Sequence, residues 1–180
     1  MTKSPLVPWT VNSSTTVIRD RWIDLRAEDC TTSAGVSISP YYVLRYPDWA
    51  HIVCQDSLDR ICVISQYRHG AARTMMELPG GVIDPGEGPL DAAKRELRET
   101  GIHGTQWRTC GTYRTNPATH TNSVHVFACR VDSVESTAFD AAEEIRQEFL
   151  TLSELRAAID SGDFGHLLHV GAVCRALNLI

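Results

Sequence analysis

The stretch that decides the fold runs from Leu78 to Ile102, LPGGVIDPGEGPLDAAKRELRETGI. Its adjacent glycines, Gly80 and Gly81, interrupt the preceding apolar pattern and predict a tight loop. Pro89 suits the first turn of a helix, where its missing N–H does no harm, and Gly101 supplies a natural stop. The apolar positions between them repeat at helical spacing: Leu90, Ala93 and Leu97. The stretch therefore predicts a glycine loop that leads into an amphipathic helix.

Two carboxylates on this helix are candidates for binding a cation. Glu96 and Glu99 are three residues apart, so they project from neighbouring positions. Hard cations such as Mg²⁺ prefer oxygen ligands and often bridge protein carboxylates to substrate phosphates. The alternative is a surface ladder of Asp91, Arg95 and Glu99, which is common on solvated helices. The glycine loop and the fixed spacing to Glu87 favour the cation site over the ladder.

The pattern resembles the signature sequence of the Nudix hydrolases. That signature has a glycine, five residues, a glutamate, seven residues, Arg-Glu-aliphatic, a glutamate pair and a closing Gly-aliphatic. The positions that match in type are Gly81, Glu87, Arg95, Glu96, Leu97, Glu99, Gly101 and Ile102. The resemblance implies an α+β fold, a Nudix-type α/β/α sandwich with a mixed central sheet. It also implies metal-dependent hydrolysis of the diphosphate that joins a nucleoside to another group.

The chain departs from this signature in the last turn of the helix. Arg98-Glu99-Thr100-Gly101 is one residue short, so Thr100 stands where the family has the second paired glutamate. The resemblance implies that the Gly80 carbonyl, Glu96 and Glu99 bind Mg²⁺, with Mn²⁺ as the alternative ion. It also implies that Arg95 orients the carboxylates through salt bridges. The shortened turn leaves a second hypothesis open, a catalytically weakened Nudix-fold protein that binds a nucleotide in a regulatory role.

Residues outside the signature resemble the branch that hydrolyses ADP-ribose and nucleotide sugars. The resemblance lies in Gln66-Tyr67-Arg68, in Glu77-Leu78-Pro79-Gly80, in Pro117 and in an N-terminal lobe. It implies substrate-binding roles for Arg68, Glu77 and Trp22. Arg68 would contact a phosphate, unless it is an ordinary surface charge. Trp22 would stack on the base, which needs only an exposed ring face, unless it lies in the core.

Two further groups of residues leave alternatives open. Glu143 and Glu144 precede the last predicted strand, and a glutamate in this region of the family often binds metal or activates water. The alternative is a solvated loop charge. His120 and His125 have the chemistry for acid–base catalysis, but we interpret them as ordinary loop and strand positions.

The pattern along the chain predicts two parts, an N-terminal β lobe over residues 1–48 and a Nudix hydrolase domain over residues 49–180. The first dozen residues are expected to be irregular. Strands are predicted at 16–25, 35–46, 52–54, 61–64, 106–114, 124–131 and 145–150, and helices from Thr151 to Gly162 and from His166 to Leu177. A sheet of two or three strands is marginal alone, so we expect the lobe to pair two subunits in a homodimer.

The composition restricts the class of protein. A formal net charge of -5 argues against a general nucleic-acid binder. The six cysteines include no C-x-x-C pair, which favours reduced thiols in a cytoplasmic protein, and His51 with Cys54 does not by itself make a zinc site. No signal peptide or membrane span is visible. The expected ligand is a small nucleoside diphosphate derivative.

Overall fold

A computed structural model of the chain describes residues 7–135 and 145–179, which form two compact units. The N-terminal unit contains the described residues up to Tyr46 together with Arg114–Asn122, and the main unit contains Pro47–Tyr113 and the described residues from Ser123 onward. The strands are β1 Thr10–Arg19, β2 Asp24–Thr31, β3 Ser37–Leu44, β4 Trp49–Gln55, β5 Ile61–Arg68, β6 Arg73–Glu77, β7 Gly80–Val82, β8 Ile102–Arg114, β9 Ser123–Val134 and β10 Arg146–Leu150. The helices are α1 Pro89–Glu99, α2 Leu152–Ser161 and α3 Leu167–Ala176, and His69–Ala71 form one turn of 3-10 helix. None of the described helices has the length and apolar content that a membrane crossing requires.

The N-terminal unit is built on an antiparallel sheet in the order β1-β2-β3. The predicted strand at 16–25 is wrong because the chain turns inside it. The carboxylate of Asp20 accepts hydrogen bonds from the backbone N–H groups of Trp22 and Ile23, at 2.7 Å and 3.0 Å. Such an aspartate turn competes with strand pairing. The strand before it also begins at Thr10, inside a segment expected to be irregular.

A loop from the middle of the chain completes the N-terminal unit. The backbone N–H of Leu44 donates to the Thr119 carbonyl at 2.8 Å, and the N–H of Thr121 donates to the Leu44 carbonyl at 3.1 Å. The Tyr41 hydroxyl donates to the Ala118 carbonyl. These hydrogen bonds attach the loop to the end of β3. At the opposite edge of the sheet, all ten residues of β1 are exposed.

The main unit contains a seven-stranded sheet in the order β10-β5-β4-β9-β8, with β6 beside β5 and β7 beside β4. Strands β4 and β9 are parallel, whereas β5 is antiparallel to its neighbours, so the predicted mixed sheet is confirmed. Strands β4 and β5 contain the predicted strands at 52–54 and 61–64, and a short turn joins them. Asp56 holds this turn by accepting from the N–H groups of Leu58 and Arg60, both at 2.9 Å.

The two faces of this sheet bury different side chains, as alternation along a strand requires. In β4, Ile52 and Cys54 pack with Ala93 and Leu97 of α1. Val53 points the other way and packs with residues of α2 and α3, among them Leu155 and Val173. Helices therefore cover both faces, and the predicted α/β/α sandwich is confirmed.

The residues that mark helix ends in the sequence lie at the observed ends of α1 and α2. Pro89 is the first residue of α1, and Gly101 follows it with φ 79°. Thr151 and Glu154 form a capping box at the start of α2, which ends before Gly162, as the predicted bounds require. Strand β7 was not predicted. It pairs with β4 because Gly80 has no side chain: a β-carbon there would lie 2.2 Å from the Ala50 carbonyl oxygen.

Candidate active site

A cavity of about 980 Å³ opens in the main unit where the glycine loop meets α1. One part of its wall comes from the loop and helix: Gly80, Gly81, Glu96, Glu99 and Thr100. A second part includes Gln66, Arg68 and Glu77 of β5 and β6. A third part consists of His51, His166 and His169. The volume is at the upper end for small-molecule sites.

Arg95 holds three glutamates together beside this cavity. Its Nε and Nη2 donate to the two carboxylate oxygens of Glu87 at 3.0 Å and 2.9 Å. Its Nη1 donates to Glu96 at 2.6 Å and to Glu99 at 3.1 Å, and Nη2 also reaches the Val82 carbonyl at 2.9 Å. The hydrogen bonds to Glu87 are the main reason that the pKa of Arg95 is raised. Arg95 thus links the helix to the glycine loop, which a simple surface ladder would not require.

Glu96 lies in a space that only a glycine at position 81 leaves open. A β-carbon on Gly81 would stand 2.4 Å from Oε2 of Glu96. Burial raises the pKa of the Glu96 carboxyl, although its hydrogen bond to Arg95 acts in the opposite direction. A cation beside this desolvated carboxylate would stabilise its ionised form. The side chain of Glu99 is more open, at 59% exposure against 15% for Glu96.

Thr100 takes the place of the missing glutamate without supplying a charge. It is buried, and its hydroxyl donates to the Leu97 carbonyl at 2.7 Å. Among the described residues, no group of three or more His, Cys, Asp or Glu side chains is arranged to hold a metal ion. The oxygens that remain, from Gly80, Glu96 and Glu99, still fit a hard divalent cation in kind. They form a partial ligand set, which Mg²⁺ tolerates because it usually retains waters or substrate phosphates.

Arg68 and Glu77 form a bidentate ion pair in the second part of the cavity wall. Nε of Arg68 lies 3.1 Å from each carboxylate oxygen of Glu77, and Nη2 lies 2.5 Å from Oε2. Glu77 is 3% exposed, whereas the Arg68 side chain is 47% exposed. Two of the three predicted substrate-binding residues therefore line the cavity, and the buried carboxylate fixes the direction of the guanidinium.

Other predicted residues lie elsewhere or outside the described structure. Trp22 belongs to the N-terminal unit and is 72% exposed, so its interpretation as a core residue is wrong. The guanidinium of Arg21 lies 4.4 Å from the centre of its ring. Glu143 and Glu144 lie outside the described residues.

The two histidines weighed for acid–base roles are not among the residues that line the cavity. His125 of β9 lies between Thr112 and Asp48, with nitrogen–oxygen distances of 3.1 Å and 3.0 Å. The ring of His120 packs on Tyr46 in the N-terminal unit, with 5.4 Å between ring centres.

Sequence reasoning missed the third part of the wall. His51 lies in a strand that is mainly apolar. His166 and His169 are three residues apart at the start of the last helix. That spacing indicates one side of a helix, but only the tertiary structure brings His51 to the same place.

Known families and proteins resemble this chain over most of its length. A model of the NUDIX domain matches residues 45–168, and a model of the nucleoside diphosphate sugar hydrolase N-terminal domain matches residues 9–44. An ADP-ribose pyrophosphatase of Bacillus subtilis (strain 168) is 28% identical over 142 residues, which are 77% of this chain and 76% of that protein. A methanol dehydrogenase activator of Bacillus methanolicus is 26% identical over 140 residues, 77% of this chain and 74% of that protein. A crystal structure of an ADP compounds hydrolase matches with a TM-score of 0.83 over 98% of this chain and 96% of that chain, and its 22% identity makes this a likeness of fold.

Proposed function

Because this chain belongs to the Nudix family, we propose that it is a hydrolase that cleaves the diphosphate bond of a nucleoside diphosphate joined to another group. The observation that carries the proposal is the position of Glu96 and Glu99, held by Arg95 on the wall of the cavity that Arg68 also lines. An enzyme that cleaves a diphosphate needs carboxylates to bind a cation and a guanidinium to bind a phosphate, and this cavity has both kinds of group.

Each residue of the site has a part in the proposed reaction. Gly81 leaves room for the Glu96 carboxylate, and Arg95 keeps both carboxylates in one orientation. Arg68 uses Nε and Nη2 on Glu77, which leaves Nη1 for a phosphate oxygen. A glutamate of the helix, or Glu143 or Glu144, would take the proton from the attacking water. A divalent ion, when bound, would neutralise charge on the diphosphate oxygens.

The proposed substrate is ADP-ribose or a related nucleotide sugar. The ADP-ribose pyrophosphatase named above and the match of residues 9–44 to a nucleoside diphosphate sugar hydrolase domain support it. The proposed ion is Mg²⁺, or Mn²⁺ as the better activator. Since Thr100 brings a neutral hydroxyl in place of a charge, we expect millimolar Mg²⁺ to be needed.

The proposed assembly is a homodimer in which residues 1–48 pair two subunits and residues 49–180 carry the reaction. The fully exposed strand β1, with Val11, Val17 and Ile18 on its surface, supports this assembly. All six cysteines are free thiols, which supports a reducing compartment, and we place the protein in the cytoplasm.

The test is a panel of nucleoside diphosphate derivatives incubated with Mg²⁺ or Mn²⁺. We expect AMP to be released from ADP-ribose, as followed by chromatography, and Glu96→Gln to remove most of this release. Turnover of nucleoside triphosphates alone would contradict the proposed substrate class.

A second function has one observation in its favour. Thr100 commits its hydroxyl to the helix, and the described residues lack a three-ligand cluster for a metal. A Nudix-fold protein that binds the nucleotide without cleaving it is consistent with that incomplete site. Calorimetric binding of ADP-ribose without turnover at any metal concentration would select this function over hydrolysis.

A further inference from the structure

Three histidines from two distant segments of the main unit form one cluster on the cavity wall. His51 lies in β4, His166 precedes the first turn of α3, and His169 lies within that turn. The ring centres are 4.1 Å apart for His51 and His169 and 4.5 Å apart for His166 and His169. None of the three has a part in the reaction proposed above.

The hydrogen bonding of His169 fixes which of its nitrogens carries the proton. Its Nδ1 accepts from the backbone N–H of Leu78 at 2.8 Å, so the neutral ring carries its proton on Nε2. Burial lowers the pKa of His169 well below its ordinary value, and His51 acts in the same direction. Because its Nδ1 accepts from the Leu78 N–H, the His169 ring is uncharged and offers only its Nε2–H to a ligand.

The rings of His51 and His166 each keep a nitrogen atom that the described residues do not pair. The Nδ1 atoms of His51 and His166 are buried and have no hydrogen-bond partner in the part of the chain that the structure describes. Buried polar atoms without partners are rare, and each calls for an explanation such as a bound ligand, ion or water. Packing alone does not require them, since Val53 and Phe164 fill the same side of the sheet with apolar side chains. The cluster is therefore better explained by a ligand than by the core.

The chemistry of the cluster restricts that ligand. A metal ion is disfavoured because the described residues include no three-ligand arrangement suited to one. The nearby carboxylate of Glu77 is already paired with Arg68. The cluster combines the Nε2–H donor of His169 with the unpaired Nδ1 atoms of His51 and His166. A hydroxyl group can both donate and accept, whereas phosphate oxygens only accept.

We propose that His51, His166 and His169 form a subsite for the hydroxyl groups of the sugar that is joined to the nucleoside diphosphate. This inference rests on the proposed function, since it places the sugar on the histidine part of the cavity and the diphosphate between Arg68 and the carboxylates of α1. The substrate class is thereby narrowed to diphosphates whose second group carries free hydroxyls. Acyl-pantetheine groups, which present few hydroxyls, fit the subsite poorly.

The experiment compares two ligands that cannot be hydrolysed, α,β-methylene ADP-ribose and α,β-methylene ADP, by calorimetry in the presence of Mg²⁺. The first carries the sugar and the second lacks it. His166→Ala changes a partly exposed residue, and His169→Asn keeps an acceptor for the Leu78 N–H while removing the Nε2 donor. We expect each variant to weaken binding of the ADP-ribose analogue about tenfold and to change binding of the ADP analogue less than twofold.

The control is His103→Ala, which removes an exposed histidine outside the cavity. Equal losses for both ligands, or no loss in either variant, would overturn the subsite while leaving the proposed function intact. If the unmodified protein binds neither analogue, the proposed function fails, and the subsite fails with it. Histidine ¹⁵N spectra give a readout that is independent of ligand binding: a charged His169 ring at pH 7 would also overturn the inference.

Discussion

The carboxylate of Glu96 lies against the α-carbon of Gly81, so closely that a β-carbon there would stand 2.4 Å from Oε2. The position of the Glu96 carboxylate on the helix therefore depends on the glycine in the loop. We expect Gly81→Ala to fold, because a flexible carboxylate can move away, but to lose at least roughly tenfold in kcat/KM because that carboxylate is displaced.

The control for this change is Gly171→Ala in α3, where a β-carbon meets nothing within 4 Å. Alanine in a helix is favoured over glycine by about 0.5–1 kcal/mol, so this variant should melt slightly higher with unchanged kinetics. Full activity of Gly81→Ala would show that the observed position of Glu96 is not the working one.

The two helix carboxylates should both be needed. Glu96→Gln and Glu99→Gln each remove a charge from a site in which Thr100 offers none, so we expect kcat to fall roughly a hundredfold in each. The measurement is kcat across a titration with Mg²⁺ and Mn²⁺. Asp91→Asn, on the same helix but outside the cavity, should keep its activity. Full activity of Glu99→Gln would leave Glu99 as an ordinary surface residue.

Substitutions in the Arg68–Glu77 pair should distinguish its contribution to the stability of the protein from its contribution to substrate binding. Arg68→Ala leaves a buried carboxylate without its cation, and we expect a loss of about 1–2 kcal/mol in the free energy of unfolding. Glu77→Gln should cost less than about 1 kcal/mol, since the neutral amide still accepts from Arg68. A double-mutant cycle in urea measures their coupling. If Arg68 contacts a phosphate equally in the ground and transition states, Arg68→Ala also raises KM more than it lowers kcat.

Trp22 tests the proposed contact with the base. Stacking persists from the ground state to the transition state, so Trp22→Ala should raise KM for adenine substrates with little change in kcat. Trp9→Ala is the matched control, because Trp9 packs edge-on against Tyr41 in the same unit. An unchanged KM for every adenine substrate would rule out the stacking role of Trp22.

The homodimer can be tested by a charge on the exposed sheet. Val17 is 48% exposed on β1, and Val17→Asp should shift the protein toward a monomer in analytical ultracentrifugation. Leu58→Asp, at an exposed site in the β4–β5 turn, should not change the oligomeric state. A monomer of the unmodified protein at micromolar concentration would contradict the proposed assembly.

The local features of this protein could be predicted from its sequence. Pro89 and Gly101 set the ends of α1, and Thr151 with Glu154 set the start of α2, because the groups that decide a helix end lie within a few residues of it. The same holds for the spacing of Gly81, Glu87, Arg95 and Glu96, which predicts the candidate site from one short segment.

Only the tertiary structure decided the features that depend on distant partners. Strand β7 exists because Gly80 approaches β4, and the sequence of three residues carries too little pattern to reveal that pairing. The histidine cluster joins His51 to His169, 118 positions further along the chain, and the pairing of Arg68 with Glu77 depends on the register between β5 and β6. Short-range spacing fixes a motif in the sequence, whereas a cavity wall is assembled by strand register and helix packing, which no single segment encodes.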